Sequence, residues 1–290
     1  MTSRVVDPIT LEVARHRFAA VAAEMGTVLR RTALSPNIKE RADCSAAVFT
    51  ASGEMLAQAE HIPVHLGSMP ESVAACLRRF DPRPGVQYAV NDPFHGGTHL
   101  NDLTLLAPVF VGSEHVAWVA NRAHHADVGG EAPGSMPAHA TTVDQEGHRV
   151  APTLAVSEGL WREAFVDPFV SASRTPWERR GDLDAQMGSN AVAVQRLAEL
   201  VAREGLERYR SLTEALLAYG QRRMEAAIEA LPDGGFAFED VLELGDDDVA
   251  IRVNVRVDGG SLRADFSGSD PQVAANINAV EAVTRSCLYY

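Results

Sequence analysis

Cysteine is scarce and scattered. The three residues, Cys44, Cys76 and Cys287, make no C-x-x-C pair. That speaks against a thiolate zinc site and a disulfide framework, and a reducing compartment is expected. Positive charge is also in deficit: 26 Lys and Arg face 39 Asp and Glu, for a net charge of −13. Nucleic acid and anionic membranes reward the opposite sign, so neither is expected as a partner. No apolar run approaches the roughly 18 residues needed to span a bilayer. Met1 to Glu12 lacks a basic stretch followed by an apolar one, so no secretory signal is read and a cytoplasmic protein is expected. Two catalytic motifs are missing as well. There is no Gly-x-x-x-x-Gly-Lys-Ser/Thr loop to cradle ATP and no Gly-x-Ser-x-Gly elbow to present a serine.

What is present is an ordinary globular composition, 46% hydrophobic and 22% charged over 290 residues. This length accommodates one large or two medium domains. Asp7-Pro8 reads as a helix start, and Leu11, Ala14, Phe18, Val21, Met25 and Val28 give one apolar face as far as Thr32. Strands are expected at 44–50, 54–58, 86–90, 103–111 and 115–120, with Gly112-Ser113-Glu114 turning the last pair. Ser68-Met69-Pro70-Glu71 has the form of a capped helix start. A helical block follows from about 177 to 230, with an apolar stripe through Leu183, Met187, Ala191, Val194, Leu197, Leu200 and Val201. Strands at 236–243, 249–257 and 261–266 come next, the last two joined at Asp258-Gly259-Gly260. The fold class expected is α+β: mixed sheets, a long helical segment, and metal-site loops at strand ends. The division expected is a metal-site α+β region at 1–175 and a helical segment with a β-hairpin region at 176–290. One continuous domain is the alternative.

The chemistry concentrates between Asn91 and Pro137. Asn91-Asp92-Pro93-Phe94-His95-Gly96-Gly97-Thr98-His99-Leu100-Asn101-Asp102 precedes a strand pair. His124-His125-Ala126-Asp127-Val128-Gly129-Gly130 and Pro133-Gly134-Ser135-Met136-Pro137 follow it. Imidazole and carboxylate are the ligand set of zinc, manganese or iron. His99 and Asp102, three apart across a bend that Gly96-Gly97 permits, could meet at one ion. Adjacent residues on extended backbone face opposite ways, so only one of His124 and His125 is expected to join them. Asp43, at the mouth of the first strand, is the best upstream fourth ligand. His61 and His65 could line the same cavity or be hydrogen-bonded structural histidines. Gly129-Gly130 with Pro133-Gly134-Ser135 could form a backbone nest for an anion. Asp127 could orient an imidazole or cap a turn.

These runs resemble the signatures of the hydantoinase B/oxoprolinase family. So do Glu60-His61-Ile62-Pro63-Val64-His65-Leu66-Gly67-Ser68-Met69, Gly181-Asp182-Leu183-Asp184-Ala185-Gln186, and Asp265-Phe266-Ser267-Gly268-Ser269-Asp270-Pro271-Gln272 with Asn276-Ile277-Asn278. The resemblance covers nearly the whole chain, with several long motifs in the family's order. It implies kinship with ATP-dependent 5-oxoprolinases, N-methylhydantoinases, caprolactamases and subunits of ketone carboxylases. It also implies a hydantoinase A-like partner that handles ATP and Mg and phosphorylates the substrate, hence a hetero-oligomer. The family's metal ligands map onto Asp43, His99, Asp102 and His124. That leaves His125, His61 and His65 for proton transfer or substrate orientation. Asn101 stands where the family often has Pro. Family subunits continue beyond the equivalent of Tyr290, so a C-terminally incomplete chain is expected.

The reaction expected is hydrolytic opening of a cyclic amide at a divalent transition metal, Zn, Mn or Fe. The alternatives are a subunit of an ATP-dependent ketone carboxylase and a truncated interaction subunit without catalysis.

Overall fold

The computed structural model describes residues 6–59, 62–244 and 247–290. The chain divides into two compact units. One comprises the described residues up to Thr213 with Ala275–Tyr290, the other Glu214–Ala274.

In the first unit, helix α1 (Pro8–Thr32) starts where Asp7 Oδ1 accepts from the Thr10 amide at 3.0 Å. Ala14, Phe18, Val21, Met25 and Leu29 form its buried face. A short helix α2 (Pro36–Lys39) leads to the hairpin of β1 (Cys44–Thr50) and β2 (Met55–Ala59). Then come α3 (His65–Leu77), β3 (Gln87–Val90), β4 (Asp102–Val111) and β5 (Glu114–His124). Strands β6 (Thr153–Ser157) and β7 (Leu160–Trp161) follow, then α4 (Glu163–Ala172), α5 (Pro176–Glu204) and α6 (Leu206–Glu229). Residues of α6 up to Thr213 belong to this unit, in which Tyr209 packs edge-on against Phe18.

The seven strands run in the order β2-β1-β5-β4-β3-β6-β7, and every pairing is antiparallel. This corrects the expectation of mixed sheets. Parallel neighbours need a crossover connection. Here β1-β2, β4-β5 and β6-β7 are hairpins, and α3 links β2 to β3, which are not neighbours in the sheet.

Helices cover both faces, which gives three layers. On one face α3 packs through Met69, Val73 and Cys76 onto Ala47, Phe49, Tyr88, Leu106 and Trp118. On the other, Phe165, Phe169 and Leu183 of α4 and α5 cover Ala89, Leu103 and Leu105. Each such large side chain withdrawn from water contributes about 1.5–3 kcal/mol.

Two helices depart from the sequence reading. Helix α3 begins at His65, ahead of the expected start, and Pro70 lies inside it. The chain enters it through a turn in which the Leu66 amide bonds to the Pro63 carbonyl at 3.0 Å. Ser68, the expected cap, instead donates back to the Val64 carbonyl at 2.8 Å. In α5 the face against the sheet is not the expected apolar stripe. Gln186 and Asn190 are fully buried against the strands, Asp182 and Ser189 against α1 and the segment that follows it, while Ala191 is exposed. Helix α4 and strands β6 and β7 were not anticipated.

In the second unit, β8 (Gly234–Leu244), β9 (Asp247–Asp258) and β10 (Ser261–Asp265) form an antiparallel sheet in the order β10-β9-β8. The register sets Phe236 opposite Val255, Phe238 opposite Val253 and Leu242 opposite Val249, so one face is apolar. Glu239 and Arg252, paired across the other face, form an ion pair. Gly259, with φ +54°, makes the turn between β9 and β10.

Back in the first unit, α7 (Glu281–Tyr289) packs on α3. A Cβ on Gly67 would lie 2.7 Å from the Ser286 amide, so glycine permits this approach.

Candidate metal centre

Strand register brings the first two site residues together. Asp102 opens β4, His124 closes β5, and the two are direct cross-strand partners. They therefore point to the same face, the one under α3. His99 reaches the same spot from the preceding loop. Asp102 Oδ1 lies 2.9 Å from His99 Nε2 and 3.2 Å from His124 Nδ1, and the two nitrogens are 3.1 Å apart. Ligand atoms about 2.1 Å from a cation stand about 3.0–3.4 Å from one another in octahedral or tetrahedral arrangement. The three atoms therefore fit adjacent corners of one coordination shell.

Behind this triangle the other carboxylate oxygen is held in place. Asp102 Oδ2 accepts from Thr98 Oγ1 and from His65 Nε2, the latter at 3.2 Å. His65 is fully buried, and its Nδ1 lies 2.9 Å from Ser45 Oγ, which fixes the ring at both nitrogens. Asp43 stands at the rim, its Oδ2 3.7 Å from His124 Nδ1. Asp43, His65 and Asp102 form a second group whose ligand atoms lie within 4.8 Å of one another. Ala42, at φ +57°, turns the backbone just before Asp43. That conformation is uncommon without glycine and is a feature of constrained sites.

The electrostatics are those of a charged cluster. Burial acts to lower the His99 pKa, but the charge and hydrogen bond of Asp102 outweigh it, so the imidazole titrates above its ordinary value. Burial acts to raise Asp102, yet His99, His124 and His65 hold it well below the carboxylate range. Arg122, two residues before His124, is pushed down to about 10 by burial against the attraction of Asp102, and so stays cationic at neutral pH.

His125 is not part of this cluster. It points to the opposite face and is fully buried, with Phe169 edge-on to its ring. Gln186 donates to Leu103 O and Asn121 Oδ1, so its own oxygen faces His125 and accepts from Nε2 at 3.0 Å. Burial and the nearby charge of Arg179 hold this imidazole well below its ordinary pKa. His61 lies outside the described residues.

The glycine pairs serve close packing. A Cβ on Gly96 (φ +85°) would lie 2.3 Å from the Ser72 amide, and one on Gly97 2.3 Å from Asn91 O. The expected anion nest is occupied from within. Asp127 accepts from the Gly129 and Gly134 amides at 3.0 and 3.2 Å, and Ser135 Oγ from Val128 and Gly130 at 2.8 and 3.0 Å. Asp127 also pairs with Arg174 at 2.7 Å, so it caps a turn rather than orienting an imidazole. Asn101 bonds to the carbonyls of His125 and Gly134 at 2.8 and 3.0 Å, tying the two loops together as a proline could not.

Sequence reasoning gave no role to Thr98, Arg122, Asp182, Gln186 and Glu146, although Thr98, Asp182 and Gln186 lie in the family-like runs. Asp182 Oδ1 accepts from the Leu34 and Ser35 amides at 2.8 and 3.0 Å, and Oδ2 pairs with Arg179 at 2.9 Å. Glu146 is half-buried within electrostatic reach of His99, and burial raises its carboxyl above the ordinary value. The signal for Asp182, Gln186 and Asn190 was their helical spacing, which puts three polar groups on one face. The buried thiols of Cys44 and Cys76 are pushed up to about 12, so neither is a nucleophile at neutral pH. Among the described residues no helix is long and apolar enough to cross a membrane.

Comparison with known proteins finds relatives of the whole chain. The chain is 38% identical over 287 residues to an uncharacterized protein of Methanocaldococcus jannaschii, covering 96% of this chain and 50% of that one. It is 36% identical over 302 residues to the 5-oxoprolinase of Saccharomyces cerevisiae, covering 98% of this chain but 23% of the enzyme. Its fold matches the crystal structure of the ATP-dependent caprolactamase from Pseudomonas jessenii with a TM-score of 0.92 and 30% identity, over 99% of this chain and 50% of that one. A nucleotide-free acetone carboxylase matches with a TM-score of 0.90 at 19% identity, over 98% of this chain and 40% of that one, which shows a shared fold. The chain thus spans half or less of each of these relatives. The hydantoinase B/oxoprolinase family model matches residues 7–290, so the Asp102–His124 rung, the loop of His99 and both covering layers of helices lie within the matched region, and the chain belongs to that family.

Proposed function

We propose that this chain is the metal-binding, hydrolytic part of an ATP-dependent cyclic amide hydrolase of the 5-oxoprolinase type. It would work beside a hydantoinase A-like subunit that holds ATP and Mg. The observation that carries the reading is the meeting of His99, Asp102 and His124 at one point, in a chain similar over nearly its whole length to a 5-oxoprolinase and a caprolactamase. Both relatives are named for a ring amide.

His99, Asp102 and His124 hold a divalent transition metal, Zn, Mn or Fe, with Asp43 as the fourth ligand. Such an ion, when bound, supplies Lewis acidity toward a substrate oxygen and brings the pKa of a water toward neutrality. The residues around it have separable tasks. His65 and Thr98 anchor the outer oxygen of Asp102 and leave Oδ1 free to face inward. Glu146, whose carboxyl burial raises, lies within electrostatic reach of His99. His125, enclosed and held neutral, supports the strand end and does not touch substrate.

The chemistry follows from the substrate. A ring amide carbon is a poor electrophile because nitrogen donates into the carbonyl. Phosphorylation of its oxygen by the partner subunit removes that protection. Water then adds to the carbon, the C–N bond breaks and the nitrogen leaves with a proton; a second water cleaves the resulting acyl phosphate to carboxylate and inorganic phosphate.

The test is to purify the chain with its hydantoinase A-like partner and assay ATP turnover with 5-oxoproline, hydantoins, lactams and ketones. The expected result is ATP hydrolysis coupled to ring opening of one cyclic amide, independent of bicarbonate, and no ATP hydrolysis by the chain alone. Carboxylation of a ketone that requires bicarbonate would replace this reading with the carboxylase one.

A further inference from the structure

Arg122 is a fully buried cation with no carboxylate among its hydrogen-bond partners. Its Nε donates to Thr104 Oγ1 at 2.8 Å, its Nη1 to Ser68 Oγ, and its Nη2 to Ser72 Oγ at 2.8 Å and to the Gly96 carbonyl at 3.1 Å. The hydroxyls pass the direction on. Ser68 donates to the Val64 carbonyl and Ser72 to the Gly96 carbonyl, each at 2.8 Å. Every hydrogen-bond acceptor is neutral, so only the attraction of Asp102, which makes no hydrogen bond to it, offsets the desolvation cost of the buried charge. An apolar side chain of similar volume would fill the space at lower cost. Stability alone does not account for a guanidinium here.

The placement of its partners does. Thr104 lies two residues after Asp102 and Arg122 two before His124, all on one face of the sheet. Ser68 and Ser72 belong to α3, whose first residue is His65. Gly96 begins the turn that leads to His99, and it is pressed onto the α3 backbone at Ser72. From β5, one rigid fork therefore reaches β4, α3 and the loop of His99, the segments that carry Asp102, His65 and His99.

We infer that Arg122 is the positioning residue of the metal centre, fixing the His99 loop against the Asp102–His124 rung so that the three ligand atoms stand at coordination distance. The inference rests on the metal reading above. Lysine keeps the charge but has neither the fork nor the reach to several acceptors at once. Groups that orient metal ligands from behind are worth about 10–100-fold in metal affinity.

The experiment uses Co(II) as probe on the wild type, Arg122→Lys, Arg122→Met and the milder Ser72→Ala. Three readouts are taken: affinity by chelator competition, the visible ligand-field spectrum, and amide hydrogen exchange across residues 94–99. The result expected for Arg122→Lys is a cooperative melt, Co(II) affinity lower by about 10-fold or more, a displaced spectrum, and faster exchange at Gly97. Ser72→Ala is expected to move each readout in the same direction by less. Should neither Arg122 variant fold, Ser72→Ala decides. If the wild type takes up Co(II) and the folded variants match it in affinity, spectrum and exchange, the inference is overturned while the metal reading stands. If the wild type takes up no Co(II) but loop exchange quickens in the variants, the metal reading fails, and Arg122 is left as an anchor of the loop alone.

Discussion

His124 and His125 are neighbours in sequence and belong to different chemical worlds. His124 faces α3, where two further imidazoles and two carboxylates gather and the cluster opens to solvent at Asp43 and His99. His125 faces α5, where Gln186, Asn121 and Asn190 satisfy one another and nothing is exposed. On the first side the charged forms of His99 and Asp102 are favoured; on the second the imidazole is held neutral. The pleat of one strand is enough to separate a reactive cluster from a structural network, and the residue type alone does not say which is which.

That contrast can be broken from the structural side. Gln186→Ala removes the acceptor of His125 and two donors, leaving buried polar groups unpaired. The expected loss is about 1–3 kcal/mol in a urea melt, with Co(II) affinity unchanged. A drop in metal affinity as large as the drop in stability would mean that the two sides are one site.

The contrast is sharpened by pH. Asp102 is depressed in the fold, so its stabilisation is present above its unfolded pKa of about 3.9 and is lost as pH falls through the folded value. His99 is raised, so its contribution is complete below about 6.5 and is lost as pH rises through the folded value. Metal binding has the opposite dependence on His99, because a ligand must shed its proton. The rise in melting temperature produced by Zn(II) is therefore expected to grow from pH 6 into the range above 6.5, while the metal-free protein loses the contribution of the ion pair over the same interval. Paired thermal melts across that range check both slopes. An effect of Zn(II) that is flat with pH would remove His99 from the ligand set.

Much of this was legible in the sequence where local signals suffice. Asp7-Pro8 and a spaced apolar face set out α1, and Gly112 set out the β4-β5 turn. The pleat rule separated His124 from His125, though only the structure says which faces Asp102. Signals were misread where two devices share one pattern. Ser68-x-x-Glu71 has the form of a capping box, yet Ser68 lies within α3, accepts from Arg122, and Glu71 pairs with Arg285. The polar face of α5 was hidden because, apart from the Arg179–Asp182 pair within the helix, Asp182, Gln186 and Asn190 are satisfied by partners between 61 and 148 residues away. Burial of a polar group depends on such partners, and spacing along one helix does not disclose them. Strand direction was missed for the same reason: β1-β5 and β3-β6 join across long connections that local turns do not determine.

The most direct test of the account is metal content after equilibration with Zn(II) and desalting, measured for the wild type, His124→Ala and His125→Ala. One Zn per chain is predicted for the wild type and for folded His125→Ala, and little or none for His124→Ala with its fold intact. Loss of Zn from His125→Ala with retention in His124→Ala, or a wild type that holds none, would contradict the assignment of the α3 face as the metal centre.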